Sequence, residues 1–239
     1  LRQEYASGRL QIVILQNDAT DHQLERLTTL KLIFQKQLPK MPREYITRLI
    51  YDPHHISVGL AKCVGSVNIV GGITYRPFDE QEFAEIVFCA ISSAEQVKGF
   101  GGYLMNHVKE YVKERHPNIK YFLTYADNYA VGYFKKQGFT ADITFPRDKW
   151  AGYIKDYEGG TLMQCRMVDS VNYREVYRML NQQKRRVVQY IDEQCNWSRV
   201  YEGLSSCFPI KDPLLIPGVK EAGWRPDMAQ LTEAPSKGR

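Results

Sequence analysis

The sequence predicts a mixed α/β domain, in which helices flank a mixed β-sheet, followed by a helical C-terminal extension. Strand-length apolar runs alternate with helical patterns, and apolar residues make up 44% of the 239-residue chain, enough to form a core. After Ser170 the pattern changes to one long amphipathic helix and then to a segment rich in Pro, Gly and Lys. We therefore expect a domain over residues 1–169, and a helix with an extended linker over residues 170–239.

An antiparallel meander is expected in the first half of the domain. A strand at 10–18 precedes a helix from about Asp21, whose leucines recur at helical spacing. A short helix, REYITRLI, comes next. Three strands follow it, separated by turns, and they are read from ISVGLAKC, SVNIVGGITYR and FAEIVFCAI.

The second half combines helices with shorter strands. A helix over about 101–115 is followed by the strand YFLTYA and the short helix NYAVGYFKKQ, with Gly138 as its C-terminal cap. The segments FTADITF and TLMQCRM are predicted to be strands, and the amphipathic helix is predicted over 171–194.

Composition argues against several classes of protein. No apolar run is long enough to cross a bilayer, and the N-terminus has no signal-peptide core, so we expect an intracellular protein away from membranes. The five cysteines are scattered and the histidines lack ligand spacing, so neither a disulfide framework nor a metal site is expected. A net charge of +5 fits an anionic partner or an ordinary basic protein. The KRR cluster at 184–186 is more typical of a solvated helix face than of a nucleic-acid site.

The segment QVKGFGG (96–102) lies between an apolar strand and a helix, which is a common setting for phosphate binding. A dinucleotide fingerprint needs a third glycine where this chain has Leu104, and a nucleotide-triphosphate loop needs Gly-Lys-Ser/Thr. A third reading is a short diphosphate turn, in which backbone N–H groups and the positive helix end hold the anion. A tight connection without a ligand is the other reading that remains.

Glu85 is the most unusual residue of the strand FAEIVFCAI, because both faces of that strand are otherwise apolar. Regular alternation would place Glu85, Val87, Cys89 and Ile91 on one face. A buried carboxyl group without a cation has a raised pKa, the condition for a general base near neutrality. A structural ion pair with a Lys or Arg is the alternative. Cys89 is read as a small buried residue rather than a nucleophile.

Three long strings carry a resemblance to a known family: FAEIVFCAISSAEQVKGFGGYLMNHVKEY, YFLTYADNYAVGYFKKQGF and GYIKDYEGGTLMQC. They resemble the PCAF-type (general-control coactivator type) histone lysine acetyltransferases of the GNAT superfamily. MPREYITRLIYDPHH and IPGVKEAGWRP resemble the same group, so the similarity runs from about residue 10 to 226 in matching order. The glycine loop alone marks only the superfamily, whereas the long strings are far more specific.

The resemblance implies the GNAT fold, with acetyl-CoA in a V-shaped opening of the sheet, and no metal. It implies that Glu85 is the general base, and the backbone N–H of Cys89 is then the natural donor to the oxyanion. The positions that would bind the cofactor are Cys89, Ala90, Ile91, Gln96, Val97, Lys98, Gly99, Phe100, Gly101, Gly102, Tyr129, Tyr133 and Phe134. Relatives often have a polar residue where this chain has Gly102, so one side-chain contact to phosphate is expected to be missing.

The same resemblance implies a histone tail as substrate, coactivator adaptor subunits as partners, and a nuclear location. Because histone tails are basic, Asp127, Asp156 and Glu158 are candidates for an acidic peptide groove, although scattered solvated carboxylates fit the pattern equally well. Residues 170–239 resemble the linker that precedes a bromodomain in such chains, and they are too few to form one. The alternatives are an acetyltransferase for other amines, a non-catalytic CoA-binding scaffold, and a nucleic-acid module.

Overall fold

The structure, a computed structural model, describes residues 7–194, 199–202, 204 and 212–226. The chain divides into two compact units, and the division falls between Val176 and Tyr177. The first unit contains the sheet and the helices around it. In the second unit, a short run of turns that includes Val219 and Gly223 follows the 3₁₀ turn Pro213–Leu215, and Trp224 donates from its N–H to the carbonyl of Val219.

Six helices lie in the described residues. In chain order they are α1 Asp21–Gln37, α2 Arg43–Tyr51, α3 Phe100–Arg115, α4 Val131–Lys136, α5 Arg147–Trp150 and α6 Val176–Gln194. A 3₁₀ turn, Ser93–Glu95, precedes α3, and another, Tyr173–Glu175, precedes α6. Each of these helices except α5 corresponds to a helix predicted from the sequence. None of the helices in the described segments combines the length and the apolar content of a bilayer-spanning segment.

The sheet has six strands in the order of the sequence. They are β1 Leu10–Leu15, β2 Ile56–Val64, β3 Ser66–Phe78, β4 Phe83–Ile91, β5 Tyr121–Ala126 and β6 Thr161–Arg166. Strands β2 to β4 form the predicted antiparallel meander, and β1 pairs antiparallel with β2. Strands β4 and β5 are parallel, and β6 returns antiparallel to β5. One core packs α3 against the sheet, and a second packs α1 and α2 against its other face.

The parallel pair of β4 and β5 is short. Ladder pairing joins Phe83–Glu85 of β4 to Tyr121–Leu123 of β5 and stops there, although both strands continue. Thr124 donates from Oγ1 to the carbonyl of Ile86 at 2.9 Å, just beyond the last pair. The sheet therefore splits between β4 and β5, and Glu85 lies at the closed end of the split.

A β-bulge in β4 changes which side chains share a face. The register between β3 and β4 passes over Val87, which has no partner on β3. Ile86 and Cys89 both pack on the α3 side, whereas Phe88 packs on the side of α1 and α2. The expectation that Glu85 and Cys89 share one face is therefore wrong, because one inserted residue reverses the alternation beyond it.

Two other local expectations are wrong. The segment 139–145 is not a strand: only Thr140 pairs, through an isolated bridge to Gln164. The side chain of Gln164 also accepts hydrogen bonds from the N–H groups of Thr144 and Phe145, so this segment is held as a loop. The short helix begins at Val131 rather than Asn128, because residues 127–130 form a turn closed by the Asp127 carboxylate.

Candidate active site

A cavity of about 630 Å³ lies at the split between β4 and β5. Four segments form its walls. They are residues 37–41 at the end of α1, Ile86, Val87 and Cys89 of β4, residues 124–130, and residues 157–160 before β6. Phe134 of α4 also lines it. The cavity thus connects the open side of β4 with the loops on both sides of the sheet.

Glu85, the residue before Ile86 of the cavity wall, is buried with 8% of its surface exposed and is not itself among the described lining residues. Burial raises the pKa of its carboxyl group to about 7, and the charge of Arg76 on the facing strand opposes that rise. The Arg76 guanidinium lies over the ring of Phe78, 4.9 Å from its centroid. No basic side chain in the described part of the chain comes within 4.0 Å of Glu85, so the structural ion pair is absent there.

Three tyrosines, Tyr45, Tyr125 and Tyr157, lie near enough to Glu85 for its charge to act on their hydroxyls. Tyr157 donates from its hydroxyl to that of Tyr45, and its ring centroid is 6.1 Å from that of Tyr45 and 5.8 Å from that of Tyr125. Burial, and in addition the charge of Glu85, raise the pKa of all three hydroxyls. These hydroxyls therefore stay protonated near neutral pH and leave Glu85 as the acid–base group.

The outer side of this tyrosine cluster already holds cations. Lys155 Nζ is 5.0 Å from the ring centroid of Tyr45 and 5.5 Å from that of Tyr157, and Arg48 is 5.3 Å from that of Tyr45. Aromatic faces attract ammonium groups at these distances. The faces of Tyr45 and Tyr157 are therefore suited to contact with positively charged side chains.

The backbone of β4 beyond Glu85 presents hydrogen-bonding groups to the split. Ser92 donates from its N–H to Val70 at 2.8 Å, and antiparallel pairs alternate along a ladder. By this alternation Ala90 bonds to β3, whereas the N–H of Cys89 points away from β3, toward the missing continuation of β5. This N–H is available to a ligand.

The Cys89 side chain is a poor nucleophile. Burial raises the pKa of its thiol to about 11, so it is protonated near neutral pH. Its sulfur lies 3.7 Å from the hydroxyl of Tyr133, which donates to the carbonyl of Gly101 at 3.0 Å. Tyr133 therefore connects β4 to the first turn of α3.

The glycine segment is a short loop that runs directly into α3, which begins at Phe100, close to the predicted start at about residue 101. Gly99 has φ +82° and caps α3, and Gly101 and Gly102 lie within its first turn. Because Tyr103 makes the first intrahelical bond, to Gly99, helix geometry leaves the N–H groups of residues 100–102 without intrahelical acceptors. These amides and the positive end of a 16-residue helix can hold a diphosphate.

The other expected site residues are placed as follows. Tyr129 is exposed and lines the cavity, with Lys40 Nζ 5.5 Å from its ring centroid. Asp127 and Glu158 also line the cavity, but the Asp127 carboxylate accepts the N–H groups of Tyr129 and Ala130. Asp156 is exposed beside the cavity and is not among its lining residues in the described structure.

The tyrosine cluster was missed by reasoning from the sequence. Its members lie in three strings that carry the resemblance, and Tyr is abundant at 16 residues, which is the one signal that pointed to them. Among the described residues, no three His, Cys, Asp or Glu side chains group as metal ligands.

Comparisons with known proteins show the family of the chain. The profile of the Acetyltransferase (GNAT) family matches residues 22–139. Among curated relatives, the histone acetyltransferase GCN5 of Yarrowia lipolytica is 52% identical over 98% of this chain, and that of Oryza sativa subsp. japonica is 44% identical over 95%. The chain spans about half the length of these relatives, 51% and 45%.

Solved structures give the same result for the fold. The crystal structure of Tetrahymena GCN5 is 48% identical, with a TM-score of 0.64, and the match covers 68% of this chain and 99% of that one. The catalytic domain of Tetrahymena GCN5 in complex with coenzyme A is 49% identical, with a TM-score of 0.56, over 69% of this chain and 96% of that one. These matches confirm the predicted GNAT fold. The chain belongs to the GNAT acetyltransferase family and, within it, to the GCN5-type group.

Proposed function

We propose that this chain is a histone lysine N-acetyltransferase that transfers the acetyl group from acetyl-CoA to the ε-amine of a lysine in a ternary complex. The observation that carries the proposal is Glu85, a buried carboxyl group with a pKa raised to about 7, at the closed end of a split lined by unpaired strand backbone. The GCN5 relatives support the reaction class.

In this proposal the cofactor site extends along β4 and the start of α3. The amides of Gln96–Gly102 would hold the CoA diphosphate, and the unpaired edge of Cys89–Ile91 would hydrogen-bond the pantetheine arm. Tyr129, Tyr133 and Phe134 would border its thiol end. Gln96–Gly102 fits this role because its turn and helix start present several amides to one side.

The lysine substrate arrives as an ammonium ion with a pKa of about 10.4 and has no lone pair for attack. Glu85, ionised above about pH 7, would take its proton, directly or through a water. The amine then attacks the thioester carbonyl, and the N–H of Cys89 would stabilise the oxyanion. The C–S bond then breaks, the second proton lost by the attacking nitrogen passes to the leaving sulfur so that CoA leaves as its thiol, and Glu85 returns the first proton to solvent. A protonated Cys89 agrees with transfer that has no acyl-enzyme.

The substrate assignment is supported by the GCN5 relatives and by the residues at and next to the cavity. The tyrosine cluster would guide the lysine side chain, and Glu158, Asp156 and Asp127 would favour a basic peptide. A histone tail meets these requirements, and chromatin as substrate implies a nuclear location. Adaptor subunits of a coactivator complex are proposed as partners by resemblance alone.

The proposal is tested by measuring acetyl transfer to a peptide of the histone H3 tail from about pH 5.5 to 9.5. We expect kcat/KM to rise about tenfold per pH unit and to level off above about 7. Glu85→Gln should lose about 10²–10⁴-fold at pH 7 and keep rising with pH, because the amine then loses its proton unaided. The variant should still bind CoA in calorimetry.

Two controls complete the experiment. The same peptide with every lysine replaced by arginine should accept no acetyl group, and a free polyamine should react far more slowly. CoA binding without transfer to any lysine peptide would favour the scaffold function instead. Full activity of Glu85→Gln at pH 7 would remove Glu85 from the mechanism.

A further inference from the structure

Glu95 binds two lysines beside the glycine loop. Its Oε2 atom is 2.6 Å from Nζ of Lys62 on β2 and 3.1 Å from Nζ of Lys98. The Glu95 side chain is 16% exposed, whereas residues 96–99 are all exposed. A sheltered carboxylate thus connects an exposed loop to the sheet through Lys62.

The loop that Glu95 anchors has an unfavourable backbone conformation. Val97 has φ +64°, which β-branched residues rarely adopt, and its side chain is fully exposed, so no packing of its own holds it there. Such conformations persist only where neighbouring contacts impose them. The contacts lie on both sides of Val97, because Glu95 precedes it and Lys98 follows it.

The side chain of Gln96 also attaches the same turn to the rest of the domain. Its side-chain amide donates to the carbonyl of Ile91 at 2.9 Å and to Oε1 of Gln37, at the end of α1, at 3.0 Å. The turn is therefore tied to β2 through Glu95 and to α1 and β4 through Gln96. Neither Glu95 nor Lys62 belongs to the cofactor-binding positions that the sequence indicated.

The ion pairs also determine where the lysine charges lie. Lys98 Nζ donates both to Glu95 and to the carbonyl of Ala94, at 2.8 Å. Both ammonium groups are thus committed to Glu95, and the backbone amides of the loop are left to meet an incoming diphosphate.

We propose that Glu95 is a positioning residue for CoA binding: anchored by Lys62, it holds the turn at Val97 so that the loop amides face the diphosphate. The inference rests on the proposed function. Charge alone predicts the opposite effect, since a carboxylate near the phosphates of CoA repels them. Removing that negative charge should tighten binding if Glu95 acts only by charge, and weaken binding if it positions the loop.

The experiment measures the Kd of CoA by calorimetry for the whole chain and for the variants Glu95→Gln and Lys62→Met. We expect each to raise the Kd about tenfold, equivalent to about 1.4 kcal/mol. The double variant should be little worse than either single one, because both remove the same contact. The KM for the lysine peptide should change less than about twofold, since the contact is remote from the tyrosine cluster.

Glu114→Gln is the matched control, because it makes the same substitution at a residue whose ion pair, with Arg174, lies at the other end of α3. It should leave the Kd of CoA unchanged. Lys62→Arg, which can keep the pair, should retain most of the affinity, and unchanged Tm values of Glu95→Gln and Lys62→Met would exclude a folding defect as the cause. Equal or tighter CoA binding by Glu95→Gln would overturn the inference. Failure of the unaltered chain to bind CoA would refute the proposed function itself.

Discussion

Glu85 combines a chemical requirement with a cost in stability. A general base for a lysine ammonium needs a pKa near neutrality, and burial supplies it because the sheet around Glu85 excludes water. The same burial disfavours the ionised form in the folded protein. The residue should therefore reduce the free energy of unfolding at the pH where it works.

The free energy of unfolding of the wild-type chain should consequently depend on pH through Glu85. The Glu85→Gln variant should lack this dependence. The pKa is raised from 4.5 to about 7 on folding, so the protonated form is favoured in the folded state. Stability from this group is present below about pH 4.5 and is lost as pH rises through 7. The difference of about 2.5 pH units, at 1.36 kcal/mol each, amounts to about 3 kcal/mol.

Urea unfolding of both chains between about pH 4.5 and 8 measures this effect. The free energy of unfolding of the wild type, relative to that of the variant, should fall by about 3 kcal/mol over this range. The subtraction cancels every other titrating group, as long as neighbouring pKa values do not change. A constant difference would mean that Glu85 has an ordinary pKa in the folded protein.

Single residues also mark the limit of reasoning from sequence. Glu85 could be found because a carboxylate inside an apolar strand is anomalous by itself. Tyr45, Tyr157 and Glu95 could not, because a tyrosine in a helix or loop and a glutamate in a turn are ordinary until the fold brings their partners to them. Lys62 and Glu95 are 33 positions apart in the chain.

At the level of elements, α3 and α4 pack closely at the glycine segment. A Cβ added to Gly101 would lie 3.0 Å from Cε2 of Tyr133, closer than ordinary contacts. Tyr133 also donates to the carbonyl of Gly101. The glycine is therefore required for the close approach of a ring and not for an unusual φ.

Gly101→Ala should therefore weaken CoA binding. An alanine within a helix usually stabilises by about 0.5–1 kcal/mol relative to glycine, but here it displaces Tyr133 and shifts the loop. We expect the Kd of CoA to rise about tenfold in calorimetry, with no gain in Tm. Gly132→Ala is the control, since nothing lies within 4 Å of its added Cβ, and it should keep the Kd and gain a little stability. If both variants behave alike, Tyr133 does not position the loop.

Most elements followed from periodicity, because the strands and helices have clear apolar patterns. The bulge at Val87 did not, since period-two alternation gives no sign of an inserted residue. The loop at 139–145 was missed because its alternating apolar residues fit a strand equally well. The amide of Gln164, a distant residue, determines that conformation.

At the level of the whole molecule, the candidate site draws on α1, α2, α3, α4 and the sheet, all before Val176. The sequence placed the end of the domain at residue 169, where the core pattern ends. In the structure, however, the segment 168–175 packs against α3. Tyr173 is buried, its N–H donates to Glu110 at 2.6 Å, and its hydroxyl accepts from Val168 at 2.8 Å.

Two shortened chains should separate these boundaries. A chain that ends after Val176 keeps every candidate site residue and the Tyr173 contacts, so its Tm and its Kd for CoA should match those of the full chain.

A chain that ends after Met167 loses the Tyr173 ring and the bond from Lys113 to the carbonyl of Val171, at 2.7 Å. Glu110, which is buried, would keep only Lys113 as partner. The free energy of unfolding of the chain that ends after Met167, measured by urea titration, should therefore be about 2–4 kcal/mol lower. Equal stability of the two shortened chains would mean that residues 168–176 add nothing to the folded domain, in agreement with the boundary near residue 169 that the sequence pattern suggested.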